Sequence, residues 1–293
     1  MFIVYFFVRM VIAILQWLPL PAVARIGRFG GKVAYRVDGR HRRVTVDNLR
    51  MCFKGEKTEE EILALAKENF GRIGESYCCA IKTAAMSIEE LRPYVEFIRP
   101  EQLQPPRRMV MAIGHFGNFE LYARFQNFSS GYQCATTYRA LKQPELNAIL
   151  QSVREKSGCL FFERRTDGPL LRAAMHKDNI ILGLLSDQSS RGMRAPFLGH
   201  DCDTGLAPAI FALRYHCELY TAFCFRIAPA RWQLELGDKI ETHQDGSPRS
   251  SEDIMQDVNR SFEKAVRRDP ANWFWVHRRW KLKNPPMTLK AKA

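Results

Sequence analysis

His115 and Glu120 lie in the run Gly114-His115-Phe116-Gly117-Asn118-Phe119-Glu120, directly after the apolar stretch Met109-Val110-Met111-Ala112-Ile113. On one continuous helix, residues five apart stand roughly 140° from each other, on different faces. The two side chains can meet only if His115 lies in a turn and Glu120 in the first turn of a helix that follows. Gly114 and Gly117 permit that backbone because glycine tolerates positive φ and close approach. An imidazole held by a carboxylate is a general base suited to taking a proton from a hydroxyl. A metal reading would join His115 to Glu120 and Asp187. His-x4-Glu lacks the i, i+4 histidine pair of a zinc hydrolase, however, and neither metal nor cofactor is expected.

Such a pair has to be positioned, and the chain alternates strand-like and helix-like segments from residue 108 onward. Met109–Ile113, Cys134–Tyr138, Cys159–Phe162 and Ile180–Leu185 are short apolar or β-rich runs, while Pro144–Lys156 and Pro169–Lys177 read as helices. Ala207–His216 and Ser251–Arg267 read as further helices. Leu219–Ile227 and Trp232–Leu236 read as strands that can form a hairpin. This alternation predicts an α/β fold with a mixed, largely parallel central sheet flanked by helices. Sites in such sheets gather at the carboxyl ends of strands. His115 follows the first run, Tyr138-Arg139 the second, Arg164 the third and Asp187 the fourth, so separate segments converge on one edge. Arg139, Arg154 and Arg164 suit bidentate binding of phosphate or carboxylate, or else pairing with Glu155, Glu163 or Asp187. Asp187 reads as a carboxylate that positions an arginine. Backbone donors near Gly117-Asn118, or an arginine, are available to a developing oxyanion.

The Gly-His-Phe-Gly-Asn-Phe-Glu run resembles the His-x4-Glu motif of the bacterial lipid A late acyltransferases, the lauroyl/myristoyl transferase family. That family lies within the wider His-x4-Asp/Glu group of glycerolipid acyltransferases. Further matches follow in family order: Tyr138-Arg139, Arg154 before Gly158, Phe162-Glu163-Arg164, Ser186-Asp187-Gln188, Pro196-Phe197-Leu198-Gly199 and Trp275-Val276-His277-Arg278-Arg279. The resemblance implies acyl transfer from an acyl-carrier-protein thioester to a hydroxyl of a phosphorylated lipid A precursor, at the cytoplasmic face of the inner membrane. His115 would be the base and Glu120 its orienting partner. Asn118, Arg139, Arg154, Arg164 and Asp187 would contact or position substrate. No Gly-x-Ser-x-Gly elbow occurs, so the hydroxyl is expected to attack the thioester directly. Other acceptors, such as a glycolipid mannoside or an ornithine lipid, would use the same pair. His200-Asp201-Cys202-Asp203 is polar for its place after Phe-Leu-Gly.

The 293 residues suffice for one full core, with no repeat or low-complexity tract. Charge is the outlier: 44 basic against 31 acidic residues give +13. Such a field suits acidic proteins, phosphorylated substrates or anionic membrane lipids. A non-catalytic lipid- or nucleic-acid-binding protein is the rival reading, and the aromatic-basic tail Trp273–Lys281 would fit it. The same mixture also fits a membrane interface or a core element, and nucleic acid is not expected as the partner. The eight cysteines form no Cys-x-x-Cys pair and read as reduced structural residues.

Residues 1–21 are apolar apart from Arg9 and end in Leu-Pro-Leu-Pro, at the threshold length for crossing a bilayer. Arg25, Arg28, Lys32, Arg36, Arg40, Arg42 and Arg43 follow, which favours the cytoplasmic side. Ile26, Phe29, Val33 and Val37 recur at helical spacing among them. The expected organisation is a membrane-anchoring or interfacial helix over 1–22 and one catalytic domain over 23–293. Thr58-Glu59-Glu60-Glu61 predicts a capped helix with Ile62, Leu65, Phe70, Ile73 and Tyr77 facing inward. Ser87 predicts another helix start, and Pro105-Pro106 the end of this helical region.

Overall fold

The computed structural model describes residues 2–98, 107–128 and 131–281. Four helices come first: α1 (Phe2–Trp17), α2 (Leu20–Val37), α3 (Gly39–Cys52) and α4 (Glu59–Ala85). α1 stops where Leu18 and Pro19 intervene, because proline lacks the amide hydrogen that would continue the ladder. The Asp38 carboxylate caps α3 at the His41 N–H, and Thr58 and Glu61 form the full capping box of α4. α2 crosses α4 at backbone contact. A Cβ on Gly31 would sit 2.1 Å from the Phe70 carbonyl oxygen, and one on Gly74 2.2 Å from that of Gly27. Of the predicted inward stripe on α4, Ile62 and Phe70 are buried, but Tyr77 is 48 % exposed. Its ring stands edge-on to Phe119 and Phe274 beside the candidate site.

The short α5 (Ile88–Leu91), capped by Ser87 and Glu90, gives way at Arg92-Pro93 to a tight turn and then to β1 (Val95–Ile98), a strand absent from the sequence-based expectation. Pro105-Pro106 lies outside the described residues. The chain continues as β2 (Met109–Ile113), a 3-10 helix over Phe119–Asn127, β3 (Gln133–Tyr138), α6 (Pro144–Glu155), β4 (Leu160–Glu163), α7 (Gly168–Ala174) and β5 (Ile180–Leu185). A hairpin of β6 (Met193–Phe197) and β7 (His200–Thr204) precedes α8 (Ala207–Arg214). β8 (Glu218–Ala228), β9 (Arg231–Ile240) and α9 (Ser251–Arg268) complete the fold.

The main sheet has the order β1-β9-β8-β2-β5-β3-β4 and is parallel apart from the β8–β9 pair, as the strand-helix alternation predicts. β2 lies at its centre and every residue of it is buried, which is why this run is continuously apolar and does not alternate. The β6–β7 hairpin turns through Leu198 and Gly199, both at positive φ, the backbone that a two-residue hairpin of this hand requires. Leu198 is held in that conformation by its N–H donating to Glu263 Oε1 at 2.6 Å. Cys202 of the polar run after this turn is fully buried, so that segment is a half-buried strand.

After α9 the chain re-enters the core. Trp273, Trp275 and Arg279 are fully buried. Asn69 Nδ2 donates to the carbonyls of Ala271 and Trp273, and Asn48 Nδ2 to those of Trp275 and His277. Of the two places open to the aromatic-basic tail, the core is the one it takes. Its tryptophans pack edge-on, 4.7 Å between centroids for Trp273 and Trp275. All eight cysteines are free thiols, and burial pushes those of Cys52 and Cys134 up to about 12.

Candidate active site

The parallel register brings the predicted residues to one edge. Ile113 stands opposite Leu185, and Tyr138 opposite Glu163, so the chain leaves four strands at neighbouring points. His115 emerges two residues after β2. A Cβ on Gly114 would lie 2.5 Å from the Phe116 ring, and Gly117 adopts φ +49 with its N–H donating to the Asn272 carbonyl. Both glycines are therefore required by the turn, as the sequence implies.

The carboxylate that holds His115 is Asp187, which corrects the expectation of Glu120. His115 Nδ1 lies 2.8 Å from Asp187 Oδ1, and the His115 backbone N–H donates to Oδ2 at 2.8 Å. Trp273 Nε1 donates to the same Oδ2 at 2.8 Å. Asp187 is fully buried. Burial alone would push its carboxyl up, but the imidazole charge and these hydrogen bonds outweigh burial and hold it well below the ordinary carboxylate range. A carboxylate accepts only, so the imidazole proton resides on Nδ1 and Nε2 is left as the basic nitrogen. The ring is 15 % exposed and packs between Phe119 (4.8 Å) and Phe274 (5.7 Å). The Gln188 amide lies 3.4 and 3.5 Å from the ring nitrogens, beyond an ordinary N–H···N bond.

Glu120 follows on the 3-10 helix, where its carboxylate receives Arg154 of α6: Nη2 at 2.5 Å from Oε1 and Nε at 3.2 Å from Oε2. Arg154 also stacks over Phe161, 5.2 Å from the ring centroid. The expected partners of Arg154 were Glu155, Glu163 or Asp187; the observed one is Glu120. Asp187 likewise positions an imidazole in place of an arginine. Asn118 is fully buried, its amide donating to Thr83 Oγ1 at 3.4 Å, and its side chain is not among those lining the cavity described below. Arg139 and Arg164 are exposed at the ends of β3 and β4. His277, expected to be structural, accepts no substrate-facing role: its Nδ1 meets the Phe274 carbonyl at 2.9 Å, and burial pulls it down to about 4. Trp273 is a further site residue that strand and motif spacing do not reveal. Its signal was the aromatic run itself, whose contact with Asp187 spans 86 positions.

His115, Glu120, Arg139, Arg154 and Arg164 all border one cavity of about 1110 Å³. That is at the upper end of small-molecule sites. On one sheet face its wall is apolar, formed by Met111, Ile113, Ile181 and Ala222 with Phe97 of β1 on the same face, and Phe125 of the 3-10 helix lines it too. From the level of Leu185 down to Ile181 the trough runs about 13 Å at ~3.3 Å per residue. Among the described residues, no group of His, Cys, Asp and Glu has the geometry to hold a metal ion.

An imidazole with one ring nitrogen free of its carboxylate thus borders a cavity with an apolar wall at the carboxyl edge of an α/β sheet. Residues 1–282 match the bacterial lipid A biosynthesis acyltransferase family, and the chain belongs to that family, an acyltransferase. No curated protein matches it in sequence.

Proposed function

We propose that this protein transfers an acyl chain from an acyl-carrier-protein thioester to a hydroxyl of a phosphorylated lipid A precursor, with His115 as general base and Asp187 as its orienting carboxylate. The observation that carries the reading is the 2.8 Å contact between Nδ1 and buried Asp187, with the rest of the ring bordering the cavity. His115 Nε2 takes the acceptor proton as the hydroxyl oxygen attacks the thioester carbonyl. The tetrahedral intermediate then expels the thiolate, which recovers the proton from the imidazolium. Asp187, ionised and desolvated, stabilises the imidazolium while it lasts. Gly117 N–H is occupied by Asn272, so the oxyanion is assigned to the first-turn N–H groups of Phe119 and Glu120. These precede the first i→i+3 bond of the 3-10 helix, Leu121 N–H to the Asn118 carbonyl.

The apolar trough receives the acyl chain. At ~1.2 Å per bond, a 13 Å depth holds on the order of ten carbons in extended form. Glu120 and Arg154 fasten α6, a helix without a buried residue, over that trough. Work at a cytoplasmic membrane face is supported by α1 and α2. Phe6, Phe7, Met10, Ile14 and Trp17 are exposed on the first, and Ile26, Phe29, Val33 and Val37 on the second, beside exposed Arg25 and Arg36. No described helix is long and apolar enough to cross a membrane. The sixteen residues of α1 span ~24 Å, less than the ~30 Å of a hydrocarbon core, so the proposal is an in-plane helix pair on anionic lipid. Mass spectrometry of membrane lipids from cells with the protein, without it, and with His115→Ala tests the reading. An added acyl mass that appears only with the wild-type chain is the expected result. An identical lipid profile in all three overturns it.

A further inference from the structure

The cavity does not stop at the apolar trough. It passes over the carboxyl edge of β3 and β5 to the opposite sheet face, where Ala135 and Leu184 line it in place of Thr136 and Gly183. There it becomes a groove between α7 and α8. Leu171, Phe211 and Tyr215 line it. The lining that includes these residues also includes His115.

Its electrostatics differ from those of the trough. The carboxylates bordering the whole cavity are Glu120 and Glu235, and each is already paired, with Arg154 and Arg268 respectively. Arg124 is spent on the carbonyls of Thr83, Ala84 and Met86 at the end of α4. Four guanidiniums remain on the lining: Arg139 after β3, Arg164 after β4, Arg172 on α7 and Arg214 on α8. Among the described residues none of the four has a carboxylate partner. Arg164 donates to Thr137 Oγ1, and Arg214 lies over the Tyr215 ring. Four like charges around one opening repel one another unless an anion arrives, and a cleft walled by low-dielectric side chains focuses their field. Planar, always-charged forks of this kind match phosphate oxygens two at a time.

We infer that the α7–α8 groove is the subsite for the phosphate-bearing headgroup of the acceptor lipid, with Arg172 and Arg214 as its specificity-determining residues beside Arg164. The inference rests on the acyl-transfer reading and adds to it where the acceptor lies. Direct attack requires donor and acceptor to be bound together at His115. The apolar lobe accommodates a hydrocarbon chain, and the basic lobe accommodates what a hydrocarbon chain is not. Arg154, bound bidentately by Glu120, is excluded from the phosphate set.

The test uses the full chain and its Arg172→Ala/Arg214→Ala double variant, with an acyl-carrier thioester as donor and a phosphorylated disaccharide lipid, intact or phosphatase-treated, as acceptor. The variant is expected to raise the acceptor KM about tenfold for the phosphorylated lipid, as loss of charge-assisted hydrogen bonds does. It should leave the donor KM and the KM for the dephosphorylated lipid unchanged. Arg172→Lys/Arg214→Lys should recover part of the loss. An unchanged KM for the phosphorylated acceptor, an equal loss on both acceptors, or a rise confined to the donor KM would each overturn the inference. The last result would put the carrier in the groove. A calorimetric titration with the deacylated phosphorylated disaccharide reads binding without transfer. If wild type binds it and the double variant does not, yet wild type transfers no acyl group, the acyl-transfer reading has failed and the subsite stands.

Discussion

Asp187 is the residue on which the site turns. It receives three hydrogen bonds at 2.8 Å, two from His115 and one from Trp273. Replacing it with asparagine keeps the shape and removes the charge that fixes the tautomer and stabilises imidazolium. Asp187→Asn should lower kcat by about 10²- to 10⁴-fold with the circular dichroism spectrum unchanged; steady-state transfer assays read the loss. Glu120 acts through a different contact. Glu120→Gln and Arg154→Ala should each weaken transfer, and the double variant should be no worse than the poorer single one, because both substitutions break the same ion pair. Summed losses in that double-mutant cycle would show independent roles. Strand spacing in the sequence brought His115, Arg139, Arg164 and Asp187 to one edge, but Glu120 was given the role at His115 that Asp187 holds. The reason is not local: Asp187, 72 positions on, takes both the ring and the backbone N–H of His115, and Arg154, 34 positions on, takes Glu120. Phe119, and not Glu120, lies against the imidazole.

At the scale of elements, the strongly apolar strands and capped helices were legible because each announces itself within a few residues. Of the elements that were missed, β1 depends on a partner far along the chain, whereas the β6–β7 hairpin pairs locally but puts Leu198, a residue that does not signal a turn, at positive φ. Val95–Ile98 forms a strand because β9, 137 positions on at Val95↔Trp232, offers an open edge. The α2–α4 crossing was also hidden. Gly27, Gly31 and Gly74 read as ordinary small residues until their backbones are seen in contact. A side chain at Gly31 has no room against the Phe70 carbonyl, so Gly31→Val should destabilise the fold by about 1–3 kcal/mol. Urea unfolding measures it, and an unchanged midpoint would refute the tight crossing. The same substitution at Gly30, whose Cβ would meet nothing within 4 Å, serves as the control.

For the whole molecule, two properties follow from how the pieces combine. The exposed apolar stripes of α1 and α2 face away from the body while Leu20, Val23, Ala24, Gly27 and Gly31 pack inward, so the helix pair is two-sided. Phe7→Asp/Phe29→Asp should cut co-sedimentation with anionic vesicles about tenfold, leaving the unfolding midpoint in detergent unchanged. Stability should also depend on pH through His277. Its folded value of about 4 lies below the ordinary ~6.5 of histidine. Between those values the unfolded chain binds a proton that the folded one refuses, so stability falls as pH drops through the window. The loss from pH 7 to pH 5 is about 2 kcal/mol, and His277→Gln should flatten it in paired denaturation curves.

The central claim is that His115, and no other group, takes the acceptor's proton. Single-turnover transfer of a labelled acyl group from its carrier thioester to the phosphorylated acceptor, by purified wild-type and His115→Ala protein of equal fold and equal acceptor affinity, tests it most directly. The account predicts that the variant binds both substrates and transfers nothing above the uncatalysed background. Wild-type transfer rates in the His115→Ala protein would contradict it.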